Sequence, residues 1–213
     1  MLQNNLFNSW MAFLIAHNYP ILYGLSMPLI PDIVNQYADG ETAANFTGVG
    51  FHELGHTSHY SLVGELYWFN YRNHIINNVG YGSFGNFAIG SDPGRVALGE
   101  AIGNFTGAIY GGTTDGGENN EWDTNDNFIP QGLMFDLGDN SPFDRVTDPN
   151  NPLITGLDNI SGFTPFMIFD ALTPNVKDIR SYRDRLRTLH LADTPNNLTD
   201  YNTFVDIYDV FNN

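Results

Sequence analysis

Three of the chain's six histidines fall within eight positions, in the stretch GFHELGHTSHYSLVGELYW over residues 50–68. On an α-helix His52 and His56 lie four positions apart, about 40° apart around the axis, so both imidazoles face one point. Two nitrogen donors on one rigid face suit a zinc ion, which takes N, O and S ligands in tetrahedral geometry. Glu53 is turned by roughly 100° about the same axis, beside such an ion, where it can take the proton of an activated water. Gly55 costs helix stability but gives a neighbouring element room to pack close to the metal. His59 sits near the same face, one turn further on. It contacts either a substrate or a carboxylate beside the metal, or it is a histidine hydrogen-bonded at a helix edge.

Two histidines do not complete a catalytic zinc site, so a third ligand is needed. A continuation to HExxHxxGxxH fails, because His59 stands at the glycine position and Leu62 at the final histidine. A glutamate from a second helix downstream is the other solution. ALGEAIGNFTG, residues 97–107, offers Glu100 with Asn104 one turn later.

These two stretches resemble the thermolysin-type gluzincin zinc metallopeptidases. GEAIGNFTG over residues 99–107 is similar to the family's NEAISDIFG, sharing Glu100, Ala101, Ile102 and Gly107, with Asn104 where the family has Asp. HELGHTSHYSLVGELY is similar in register to HELTHAVTDYTAGLVY, sharing the HELxH core, Gly64 and Tyr67. The resemblance implies that His52, His56 and Glu100 hold zinc and that Glu53 is the general base. It also implies that Tyr67 donates to the oxyanion. His190, the one later histidine, is the candidate for the family's second oxyanion donor, without a motif around it. Asn104 replaces an acid that orients the first motif histidine; a neutral amide accepts the same bond but adds less basicity. The resemblance spans roughly residues 48–110, and the family's strand-rich lobe has no counterpart in the first 45 residues. Either this is the catalytic part of a longer protein or that sheet is replaced.

The elements that must position these residues are mostly helical. Residues 6–18 read as a short apolar helix, followed by a stretch punctuated by Pro20, Pro28 and Pro31. Helical character runs from about Glu41 to Phe69, then again from Val96 to Tyr110 despite its glycines. Between them residues 77–95, rich in Gly, Asn and Ser, read as a loop. Two further polar loops, 111–127 and 138–156, precede a helix beginning in 163–172. A surface helix in 175–192 carries Lys177, Arg180, Arg183, Arg185 and Arg187, and a last short helix lies within 199–211. Alternating strands are scarce. The expected fold is mainly α, α+β at most: one domain over residues 1–213, a zincin-like helical lobe with long ordered loops.

Composition narrows the partners. A formal charge of −16 disfavours nucleic acid and anionic membrane surfaces. No apolar run reaches the roughly 20 residues of a membrane span. Cysteine is absent, which removes thiolate ligands and disulfides. Acidity with many Asn and Gly residues points to an extracytoplasmic protein whose export signal is not in this sequence. The loop 115–127, with Asp115, Glu118, Glu121, Asp123, Asn125 and Asp126, is either an irregular Ca2+ site or a solvated acidic loop. The EF-hand pattern fails there, with Phe128 at the required glycine and Met134 at the closing glutamate. The arginine cluster either binds a substrate carboxylate or pairs with the chain's own acids. The functional expectation is a zinc-dependent peptidase acting on peptide or protein substrates. The alternatives are an inactive, zinc-stabilised peptidase-like binding module, and a metal-free core helix that happens to spell HELGH.

Overall fold

The computed structural model describes residues 43–82, 84–111, 124–125, 128–130, 132–139, 145–147, 155–157 and 159–209. The expected helix at 6–18 and nearly all of the 115–127 loop lie outside the described residues. The fold is mainly helical, as expected. Helix α1 spans Ala43–Val63, α2 Glu65–Asn78 and α3 Pro93–Gly111. Two short antiparallel pairs follow: β1 (Thr124–Asn125) with β2 (Ile129–Pro130), and β3 (Arg145–Thr147) with β4 (Thr155–Leu157). One-turn α4 (Leu133–Asp136) lies between them, and α5 (Pro165–Asp170), α6 (Ile179–His190) and α7 (Leu198–Tyr208) complete the chain. Among the described residues no helix is long and apolar enough to cross a membrane.

The single helix expected to run to Phe69 is two helices. Gly64 adopts φ 80°, a left-handed value that glycine reaches without Cβ strain, and the chain turns there. Beyond the turn α2 buries Tyr67, Trp68, Tyr71 and His74 on one side. The loop expected from residue 77 starts at Val79, whose own left-handed φ of 55° caps α2.

Helix α3 is the central element, with both Val96–Leu98 and Ala101–Ile102 fully buried. It packs most extensively on α1 and also meets α2, β2, α4 and α6. Four of its five glycines recur every four residues, at 99, 103, 107 and 111, so they form one stripe along the helix. A Cβ on Gly107 would stand 3.0 Å from the Gly48 carbonyl oxygen, and one on Gly55 would stand 2.6 Å from Thr106 Oγ1. Small residues on both helices therefore let the two backbones approach closely. Gly55 gives α3 room to pack close, against Thr106 and the Ile102 carbonyl.

The C-terminal helices start on well-formed caps. Asp178 accepts from the Ser181 backbone N–H at 2.7 Å to open α6, and Asn197 accepts from that of Asp200 at 2.9 Å to open α7. Helix α6 buries Ile179, Tyr182 and Leu186 at helical spacing. Three of its four arginines meet the chain's own acids: Arg180 with Asp209, Arg183 with Asp184 and Asp206, and Arg187 with Asp184.

Candidate metal centre

Helix α1 carries His52 and His56 on the face turned towards α3, and α3 carries Glu100 opposite them. The stripe of glycines makes this meeting possible: a Cβ on Gly103 would sit 2.7 Å from His52 Cε1 and Nε2. The three donors close a small triangle. His52 Nε2 and His56 Nε2 are 3.0 Å apart, His52 Nε2 lies 3.4 Å from Glu100 Oε2, and His56 Nε2 lies 3.5 Å from Glu100 Oε1. Two ligands about 2.05 Å from a tetrahedral zinc ion stand about 3.3 Å apart. The triangle has that size, and its donor set of two imidazoles and one carboxylate suits a borderline cation. His52, His56 and Glu100 thus form a buried group that can hold a metal ion.

The surroundings fix each donor. His56 lies edge-on to Trp68, ring centroids 5.5 Å apart. The Asn104 side chain, one turn beyond Glu100 on α3, is close enough to the His52 ring to favour its protonated form. Two tyrosines hold Glu100: the Tyr71 hydroxyl donates to Oε1 and the Tyr81 hydroxyl donates to Oε2, the latter at 3.1 Å. The sequence marks Tyr71 only as part of an aromatic cluster with Tyr67, Trp68 and Phe69, pocket lining or core, and assigns neither tyrosine to Glu100. Tyr71 had a faint signal, one helical turn after Tyr67; Tyr81 had none, because a loop brings it in.

Electrostatics separate the groups. Burial resists the charge on Glu100, yet the neighbouring His56 and His52 overcome it and hold the carboxyl at about 2. Burial also opposes a proton on His52, but the hydrogen bond and charge of Glu100 raise it above its ordinary value. His56 is pushed down to about 4, mainly by burial. Glu53 is half-buried beside them. Burial pushes its carboxyl up to about 7, the charge of Glu100 adding to the rise and that of His52 opposing it. A carboxyl poised near neutral pH is suited to accept and return a proton.

Two residues expected at the site are placed elsewhere. The Tyr67 hydroxyl is buried and donates to the Arg95 carbonyl oxygen at 3.3 Å, with the Arg95 guanidinium over its ring. The turn at Gly64 sets α2 so that Tyr71 reaches Glu100 instead. His190, the last residue of α6, is paired with Asp170 at 2.9 Å and lies against Phe166. His59 is not a member of the triangle. It is fully buried against Tyr67 and Trp68, and neither ring nitrogen has a hydrogen-bond partner among the described residues. Both readings of His59 are replaced by a third, a neutral histidine in an aromatic core. His74 Nε2–H donates to the Tyr81 carbonyl oxygen, 2.7 Å away, and so anchors the loop after α2.

No protein-family model, curated protein or solved structure matches the chain.

Proposed function

We propose that this protein is a zinc-dependent peptidase of the gluzincin type. The observation that carries the reading is the triangle of His52, His56 and Glu100 donors, 3.0–3.5 Å on a side, with Glu53 next to it. His52, His56 and Glu100 would hold the zinc ion, which would supply Lewis acidity and bring the acidity of a water at the site to near neutral pH. Glu53 accepts a proton from the attacking water and returns it to the departing amine of the peptide. Glu100 contributes the one anionic donor, and Asn104 is the neighbouring polar side chain that favours the protonated form of His52.

The test is Glu53→Gln, which removes the base and leaves the three donors in place. Elemental analysis should find one zinc per chain in both proteins, and a mixed peptide library should be cleaved by the wild type alone. Hydrolysis by Glu53→Gln at the wild-type rate would end the mechanism.

A second reading is favoured by the hydroxyl of Tyr67 and the imidazole of His190, both engaged away from the triangle. In that reading zinc stabilises a peptidase-like module that binds a partner without cleaving it. Stoichiometric zinc with no turnover across the library would select it.

A further inference from the structure

Resting on the reading of His52, His56 and Glu100 as metal ligands, we infer that Tyr71 and Tyr81 are positioning residues that fix the Glu100 carboxylate. The terminal torsion of a glutamate is broad and roughly two-fold, so a carboxylate reaching out of a helix does not by itself present its oxygens in one plane. Here each oxygen has its own donor. Tyr71 comes from α2 and engages Oε1; Tyr81 comes from the loop between α2 and α3 and engages Oε2. Two O–H groups from separate elements determine the rotation of the carboxylate, and they do so with Oε1 turned to His56 and Oε2 to His52. Outer partners of this kind set both the orientation and the donor strength of a metal ligand.

Each tyrosine is itself held. Tyr71 packs against Trp68 at 4.5 Å between ring centroids, and a Cβ on Gly99 would stand 2.9 Å from its Cε2. The glycine at 99 is the room that lets the Tyr71 ring lie against α3 and reach Glu100. Tyr81 is fixed through its backbone, by His74 on its carbonyl. Asn78 staples the rest of that loop: its Oδ1 accepts from the Ala88 N–H at 2.8 Å, and its Nδ2 donates to Ser91 Oγ at 2.7 Å. Tyr71 is enclosed whereas Tyr81 is half-exposed, so the two can be removed with different structural consequences.

The experiment measures zinc affinity of the full chain by competition with a chromophoric chelator, for wild type, Tyr71→Phe, Tyr81→Phe and Gly99→Ala. Loss of either phenol should weaken binding by about ten- to a hundredfold. Gly99→Ala keeps the phenol but displaces it and should act like Tyr71→Phe. Two readouts separate positioning from general destabilisation. Metal-free Tyr81→Phe should melt at the wild-type temperature, and the visible d–d spectrum of its cobalt form should differ from wild type. Wild-type affinity and an unchanged cobalt spectrum in both phenylalanine variants would overturn the inference. So would a fall in affinity that only tracks a fall in metal-free stability. A wild-type protein that binds neither zinc nor cobalt would overturn the metal-centre reading itself, and this inference with it.

Discussion

Replacing Gly103 by alanine puts one methyl group against His52, one of the three donors that can hold a metal ion. The new Cβ would stand 2.7 Å from His52 Cε1 and Nε2, whereas non-bonded carbon atoms settle at about 3.5–4.0 Å. The ring, the helix or both must therefore give way by about 1 Å. Metal–ligand distances tolerate about 0.2 Å, so His52 cannot keep its place in the triangle. Disturbing an outer partner of a ligand already costs about ten- to a hundredfold in metal affinity. Displacing the ligand itself should cost at least the upper figure, about 2.8 kcal/mol at 1.4 kcal/mol per decade. The same substitution favours the metal-free helix by about 1 kcal/mol, since alanine replaces a mid-helix glycine. Overpacking of about 1–3 kcal/mol opposes that gain. Metal-free Gly103→Ala should thus stay folded, within about 2 kcal/mol of wild type, while its zinc affinity collapses. Chelator competition gives the first quantity and thermal unfolding in excess chelator the second. Zinc affinity within threefold of wild type in a folded Gly103→Ala would refute the placement of His52 across Gly103.

Three further outcomes follow from single contacts. Tyr67→Phe removes one buried hydrogen bond to the Arg95 carbonyl, so it should cost about 1 kcal/mol and leave zinc affinity intact. A hundredfold loss of turnover in that folded variant would return Tyr67 to the reacting atoms. Val79→Asn relieves a β-branched residue at φ 55° and should stabilise by about 1 kcal/mol, raising the melting temperature by about 2–4 °C; an unchanged melting curve would show that Val79 carries no strain. Asn104→Asp places a carboxylate near the His52 ring, whose charged form the amide already favours, and should tighten zinc binding by about tenfold. Weaker binding in a calorimetric titration would show that the residue at 104 does not support His52.

The parts of the site written in local geometry were legible. The i, i+4 spacing of His52 and His56 determines a shared face wherever that segment is helical, and α1 is helical from Ala43 to Val63. Glu100 was legible for a similar reason, since it sits in a short motif on a second apolar helix. What failed depended on how elements are set against each other. Gly64 lies in an otherwise helical pattern, and nothing local states that its φ will be 80°. That one turn directs Tyr71 rather than Tyr67 to Glu100. Tyr81 arrives by a loop whose path is determined by His74 and Asn78, contacts made across 7 and 10 positions of chain. His190 is a candidate only as the one histidine after Glu100, a reason that says nothing about where α6 ends; the structure ends it on Asp170.

The glycines of α3 show why site and packing were chosen together. Relative to alanine, Gly99, Gly103 and Gly107 weaken an isolated helix by about 3 kcal/mol in total, at about 1 kcal/mol each. That is a large fraction of the 5–15 kcal/mol that separates a folded domain from its unfolded chain. Each of the three nevertheless faces something that a methyl group would displace. Gly99 faces the Tyr71 ring, Gly103 the His52 imidazole, and Gly107 the Gly48 carbonyl and the His52 Cβ. The glycine cost is therefore concentrated on the contacts that set the ligand triangle. A ligand that binds only the folded state at a thousand times its dissociation constant returns about 4 kcal/mol, an amount of the same size. Alanine at these positions would make α3 the better helix in isolation and would leave no room for a second helix to bring two histidines within 3.5 Å of Glu100.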